Sequence, residues 1–172
     1  MIESFQGKKP KTHKTTFVHK SAQLIGDVTL KEHSSVWCST VLRADAAPII
    51  IGKNSNIQDN CSLHVDTGLP VMIGENVTVA HNCVVHSSTI GNNCIIGIGA
   101  ILLNNSKIGN NCIIGAGAVV LEDQQVPDNS IVLGIPGKVV KKVNSKMLRR
   151  IIANANEYVT LKKKYMKIKN KK

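Results

Sequence analysis

Three histidines fall within 23 positions of one another in this 172-residue chain: His64, His81 and His86. Neutral imidazole is the commonest protein ligand for a transition metal. Three such nitrogens leave a fourth position open, which is the ligand set of catalytic rather than structural zinc. Water held at that position has a pKa near 7. Groups suited to orient ligands or touch a substrate lie nearby in sequence: Arg43, Asp45, Asn56, Gln58 and Asp59. Arg43 and Asp45 are close enough to pair, across a subunit boundary, and so to brace the ligands. Gln58 carries an amide able to hydrogen-bond a nucleophile or a product. The other histidines, His13, His19 and His33, read as ordinary surface residues.

A six-residue repeat gives the three histidines places in space. Aliphatic residues recur at Val18, Leu24, Leu30, Val36 and Leu42. The series resumes at Ile51, Ile57 and Leu63, then at Ile73, Val79 and Val85, then from Ile90 through Ile96, Leu102, Ile108 and Ile114 to Val120. Two residues before these positions the side chains are nearly all small, as at Ala22, Ser34, Thr40, Ser55, Cys61, Cys83, Ser88, Cys94, Ala100, Ser106, Cys112 and Ala118. A hexapeptide period signals a parallel β-helix. Side chains two apart share a strand face, so each short strand turns one small and one large residue inward and fills a narrow prism. Cys61, Cys83, Cys94 and Cys112 sit in the small slot and read as buried thiols behaving as small apolar groups. Cys38 falls off that slot and is assigned no role.

The pattern resembles the left-handed β-helix of hexapeptide-repeat proteins, in which three hexads make one triangular coil. The expected fold is therefore all-β, a left-handed parallel β-helix over residues 1–143. A basic C-terminal α-helix over residues 144–172 is expected to pack alongside. The repeat is read as ending after Val120, with Pro127, Gly134, Pro136 and Gly137 marking exit loops. Ser145 is the expected helix N-cap. Leu148, Ile151, Ile152, Ala155 and Val159 form the expected apolar stripe, and Lys167 to Lys172 are expected to fray.

Register then separates the histidines. His64 follows Leu63 by one and His86 follows Val85 by one; the intervening coil has a four-residue insertion between Asp66 and Val71. The two imidazoles share a column and point outward, one strand spacing of ~4.8 Å apart. His81 lies two past Val79, on the preceding face, out of reach of the same ion within its own chain. Side-by-side packing about a threefold axis would bring a neighbour's His81 to the pair. The expectation is an intersubunit three-histidine site in a homotrimer. The ligands suit Zn2+, with Fe2+ or Co2+ also acceptable to imidazole.

These residues resemble the gamma-class carbonic anhydrases. The matching stretches are Leu42-Arg43-Ala44-Asp45, Asn56-Ile57-Gln58-Asp59, His64, and Val79 through His86. The resemblance implies reversible hydration of carbon dioxide to bicarbonate. It gives Arg43 and Asp45 an interface role, places Asn56, Gln58 and Asp59 along the site, and matches Tyr158 to a tail tyrosine of the short-loop subgroup. Ala44 stands where the family carries Gly, and Ala46 where it carries an acid. The loop from Val65 to Met72 is short, with Asp66 its sole acid, so a metal site is expected more firmly than fast turnover. Two other activities fit the same repeat. One is acyl transfer from an acyl-coenzyme A with a single histidine as base and no metal. The other is a catalytically weak trimer in which metal only joins subunits.

The formal charge of +11 lies entirely in the tail: residues 141–172 hold twelve Lys/Arg and only Glu157. Without an aromatic platform to stack bases, this reads as a solvated helix rather than a nucleic-acid surface. No apolar run approaches a membrane span and the N-terminus lacks a secretory core; the expected location is cytoplasmic.

Overall fold

The computed structural model describes residues 1–169. Its strands stack into three parallel faces, the sides of a prism. The first face holds Ile2–Glu3, the leading halves of Gln23–Leu30 and Val41–Ile51, then Ser62–His64, Val84–His86, Ile101–Leu102 and Val119–Val120. The second holds Lys11–Thr12, the trailing halves of the same two long strands, Val71–Ile73, Thr89–Ile90, Lys107–Ile108 and Gln125–Val126. The third runs from Phe17–Val18 and Ser35–Val36 through Asn56–Ile57, Thr78–Val79, Ile95–Ile96 and Ile113–Ile114 to Ser130–Leu133.

The hexad explains this architecture residue by residue. The small-slot residues from Ala22 to Ala118 are all buried, as are the large ones from Leu24 to Val120. Corners demand a residue with positive φ, and asparagine tolerates that conformation better than other side chains. Asn54, Asn76, Asn93, Asn111 and Asn129 supply it, with φ of 54 to 59°. Their amides form a ladder of hydrogen bonds of 3.0–3.1 Å up one edge. The break in the hexad after Leu42 is a long strand, Val41–Ile51, that turns a corner without ending, with a register shift opposite Gly26 and Val28. Gly26 lies directly under Ala44; a Cβ there would stand 2.3 Å from the Ala44 carbonyl oxygen. This close approach fixes Arg43, Ala44 and Asp45 at the edge of the first face.

The solenoid is longer than the hexad reading at both ends. Ile2–Glu3 and Lys11–Thr12 already pair with Gln23–Leu30. Beyond Val120, Val126 and Val132 continue the six-residue step and are buried. The signal faded there because Gln124, not a small residue, precedes Val126 by two. Within the expected exit loops Lys138–Lys142 forms an exposed antiparallel strand on Ser130–Leu133.

The helix spans Ser145–Lys169 and docks on the third face of its own prism. It extends through part of the tail expected to fray, and residues 170–172 of that tail lie outside the described residues. Asn144, not Ser145, is the N-cap: its side-chain oxygen accepts the Met147 amide at 2.9 Å. The buried stripe is rotated from the one expected. Ile151, Ala155 and Lys162 are buried, whereas Ile152 and Val159 are only half-buried. An aromatic cluster locks the helix down. Trp37, facing outward after Val36, packs against Phe17, Tyr158 and Tyr165 with ring centroids 5.1–5.5 Å apart. Below it the Thr78 hydroxyl donates to Asn154 Oδ1 on the helix at 2.8 Å. Among the described residues no helix is long and apolar enough to cross a membrane.

Candidate metal centre

The nine residues singled out by sequence assemble as two groups on opposite edges of the first face. The first group is a column. Arg43, His64 and His86 are strand partners in successive coils. His64 Nδ1 lies 2.9 Å from His86 Nε2, with ring centroids 4.9 Å apart. His64 Nε2 lies 3.1 Å from Asp45 Oδ1, and the other Asp45 oxygen accepts from the Arg43 guanidinium. The Arg43–Asp45 pair thus closes within one chain. Burial works to raise the Asp45 carboxyl, but hydrogen bonds from Arg43, its own backbone amide and His64 outweigh it and hold it below the usual range.

Asn104 and Asp66 complete the column, and sequence reading missed both roles. His86 Nδ1 is hydrogen-bonded to Asn104 Oδ1, and the Asn104 amide donates to Asp66 Oδ2. Asn104 follows His86 by one coil of three hexads, so the register held the signal. The Asp66 contact depends on how the insertion folds: a tight turn, with an Asp66–Leu69 bridge and Gly68 at positive φ.

The second group occupies the other edge, where the third face turns into the first. Asp59 and His81 both lie two past an inward aliphatic, and Asp59 Oδ2 is 2.9 Å from His81 Nδ1. The Cys38 backbone amide donates to the other Asp59 oxygen at 3.2 Å. Burial pushes the Asp59 carboxyl up, but hydrogen bonds from Cys38 and its own amide, with the His81 charge, bring it below the usual range. Gln58 lies inside the fold. It is 4% exposed and its Nε2 donates to Asn56 Oδ1 at 3.1 Å, while Asn56 donates to Thr78 Oγ1 at 2.9 Å. This buried chain runs through Thr78 to Asn154 and fixes the Gln58 amide. A cleft between prism and helix is lined by Gln58, His81, Asn154 and Tyr158. Burial and the charges of Asp59 and Glu157 push the Tyr158 hydroxyl up, so it stays protonated through neutral pH.

His81 does not join His64 and His86 within the chain, as register required. Among the described residues no group of three or more His, Cys, Asp or Glu side chains could hold a metal ion. The remaining histidines stand elsewhere: His13 and His19 bond locally to Thr15 and Ser21, and His33 Nδ1 is buried without a partner. The thiols of Cys61 and Cys94 are pushed up by hydrogen bonding to Cys83 and Cys112 and by burial; they are inert filling.

Known proteins share this architecture. The bacterial transferase hexapeptide (six repeats) family model matches residues 87–122. A carbonic anhydrase of Geobacillus kaustophilus is 38% identical over 92% of this chain and 87% of its own length. Gamma carbonic anhydrase 2, mitochondrial, of Arabidopsis thaliana is 34% identical over 90% of this chain and 58% of its own. The chain belongs to the gamma-class carbonic anhydrase family. Its solenoid is accordingly the left-handed β-helix of hexapeptide repeats. A solved Bacillus cereus structure, named for an acetyltransferase, superposes with a TM-score of 0.95 at 34% identity and covers 97% of each chain. The same scaffold therefore carries both carbonic anhydrase and transferase names, and the residues of the two edge groups must decide between them.

Proposed function

We propose that this gamma-class carbonic anhydrase relative is a metal-dependent hydratase of carbon dioxide, assembled as a homotrimer with sites between protomers. One observation carries the reading: an oxygen holds one ring nitrogen of each of the three histidines, and the second nitrogens of His64 and His86 converge on each other at 2.9 Å. His64 is held by Asp45, His86 by Asn104 and His81 by Asp59. This is the outer-shell pattern of ligating histidines. In neutral rings whose N–H groups point at those oxygens, His64 Nδ1 and His86 Nε2 present lone pairs to each other at 2.9 Å. Facing lone pairs repel, so the pair calls for a cation between them. Two ligands at ~2.0–2.1 Å in tetrahedral array stand about 3.3–3.4 Å apart, a small opening from the separation seen here.

The donor set thus fits a divalent ion held by His64 and His86 of one protomer and by the partner's His81. Bound there, zinc, iron or cobalt would lower the pKa of its water to near 7 and supply a nucleophile at neutral pH. The chain's own residues do the rest. Asp45, Asn104 and Asp59 fix the imidazoles in the donor tautomer. Asn56, pinned by Thr78, holds the Gln58 amide at the cleft wall, where it can orient substrate or product. Tyr158, kept protonated, serves as a donor from the helix side. Arg43 neutralises Asp45 and faces the neighbouring protomer.

An acyltransferase would need one histidine as base and no converging pair. A purely structural metal would need a closed ligand set, and three imidazoles leave a position open. The test is rapid-mixing hydration kinetics alongside metal content and solution mass, on protein prepared with and without oxygen. The expected result is a trimer holding one metal per chain, with hydration that disappears on His81→Ala. A fully loaded trimer with no rate above buffer, or turnover of acetyl-coenzyme A by metal-free protein, would defeat the proposal.

A further inference from the structure

We infer that Asn104, gripped by Asp66, is the positioning residue that selects which nitrogen of His86 is free to ligate; this rests on the metal reading above. The clamp spans three coils. Asp66 opens the short turn after His64, where its backbone amide is pinned by the Ser87 hydroxyl at 2.7 Å. Its Oδ2 accepts from the Asn104 side-chain amide, and Asn104 Oδ1 meets His86 Nδ1. Ser87 itself is buried, and its φ of +46° marks the corner that turns the chain away from the site.

The chemistry of the three groups leaves one arrangement. A carboxylate only accepts hydrogen bonds, so it draws the NH2 side of the Asn104 amide toward itself. The amide oxygen must then face His86. An amide oxygen cannot donate, so His86 carries its proton on Nδ1 and keeps Nε2 bare, the atom that faces His64. Without this arrangement the His86 ring is free to place its proton on Nε2 and block the ion. The sole acid of the loop is thus committed to orienting a ligand through a second residue.

Substitutions separate this role from simple scaffolding. Asn104→Ala removes the acceptor. Asp66→Asn leaves the Asn104 amide free to flip, because an amide at 66 both donates and accepts. The double variant Asn104→Asp with Asp66→Asn reverses the polarity of the clamp: a carboxylate at 104 accepts from both His86 and residue 66, and the Nδ1–H tautomer returns. In metal-free protein, long-range 15N–1H correlations of the His86 ring should place the proton on Nδ1 in the wild type and in the double reversal. Asn104→Ala and Asp66→Asn should give a mixture or the Nε2–H form. Competition against a chromophoric chelator should show cobalt(II) or zinc binding weaker by about 10–100-fold in Asn104→Ala, the range for outer-shell losses, with most of it regained in the reversal. Circular dichroism and solution mass control for folding. An unchanged His86 tautomer in Asn104→Ala overturns the inference. Failure of the wild type to bind either metal overturns the metal reading instead, while the tautomer measurement still decides the role of Asn104.

Discussion

If the two edge groups meet only between protomers, two inactive variants should repair each other. His81→Ala keeps the His64/His86 column and loses the partner's contribution; His86→Ala keeps His81 and breaks the column. Neither homotrimer has a complete site, because the two groups occupy opposite edges of one face and, among the described residues, no third ligand reaches the column within a chain. In a ring of three, every mixed trimer contains one interface that joins an intact column to an intact His81. Random exchange of equal amounts makes about three quarters of the trimers mixed, so about a quarter of the wild-type metal and rate should return. The variants carry different tags, mixed trimers are isolated through both, and metal and hydration rate are measured per trimer. Mixed trimers should hold one metal where the parents hold none. Mixed trimers as empty as their parents, or a His81→Ala homotrimer with one metal per chain, would refute the division of the site between protomers.

Three further outcomes rest on the fold around the site. Lys162 is 1% exposed and its ammonium reaches the Thr15 carbonyl; burial, then Lys163, lowers its pKa from the ordinary 10.5. Below the folded-state pKa the charge is buried at full cost, and the cost is relieved as pH rises through that value toward 10.5. Lys162→Met should therefore stabilise the protein at neutral pH by about 1–3 kcal/mol, raising Tm, with the gap from wild type closing in alkaline thermal melts. Trp37→Ala removes the ring that joins Phe17, Tyr158 and Tyr165 and should cost about 3–5 kcal/mol, read as a lower Tm with loss of the near-ultraviolet aromatic signal. Of the five thiols, four are buried, and burial followed by Asp59 pushes the half-exposed Cys38 up. Ellman's reagent should find at most one slow thiol per native chain and five after denaturation.

The hexad carried most of the fold because a solenoid repeats one local decision: which side chains turn inward. Leu63 and Val85 alone set the shared column of His64 and His86, and Val79 the separate edge of His81. What the period could not carry was contact set by side-chain reach at the corners or by helix rotation. Asn104 sat in register with His86, but its partner Asp66 belongs to an insertion outside the repeat. Lys162 was hidden because a buried lysine reads as a solvated one in any amphipathic pattern; the expected apolar stripe aimed the helix some way around from where it docks. Asn144 displaced Ser145 as cap because both are good caps and only the entry angle of the chain selects one. The hydrogen bond from Thr78 to Asn154 joins residues 76 positions apart, which no local pattern encodes.

The commitment of Asp66 to Asn104 bears on how fast the proposed reaction runs. Each turnover releases a proton that must leave the site for bulk water, and a positioned acid or base speeds this step. The loop after His64 is short and has one acid, Asp66, which is held by Asn104 at one oxygen and pinned through its backbone to Ser87. An acid engaged in this way is a poor carrier between site and solvent. Tyr158 stays protonated through neutral pH, and so does not accept the proton. External buffer is then the expected carrier. Hydration at saturating carbon dioxide should rise steeply with imidazole concentration at constant ionic strength and level off only where a later step takes over. Asp66→Asn should leave that plateau within about twofold once metal loading is matched, since the variant acts on His86 rather than on proton release. A rate independent of buffer from the lowest concentrations upward would mean that a residue of the chain carries the proton after all.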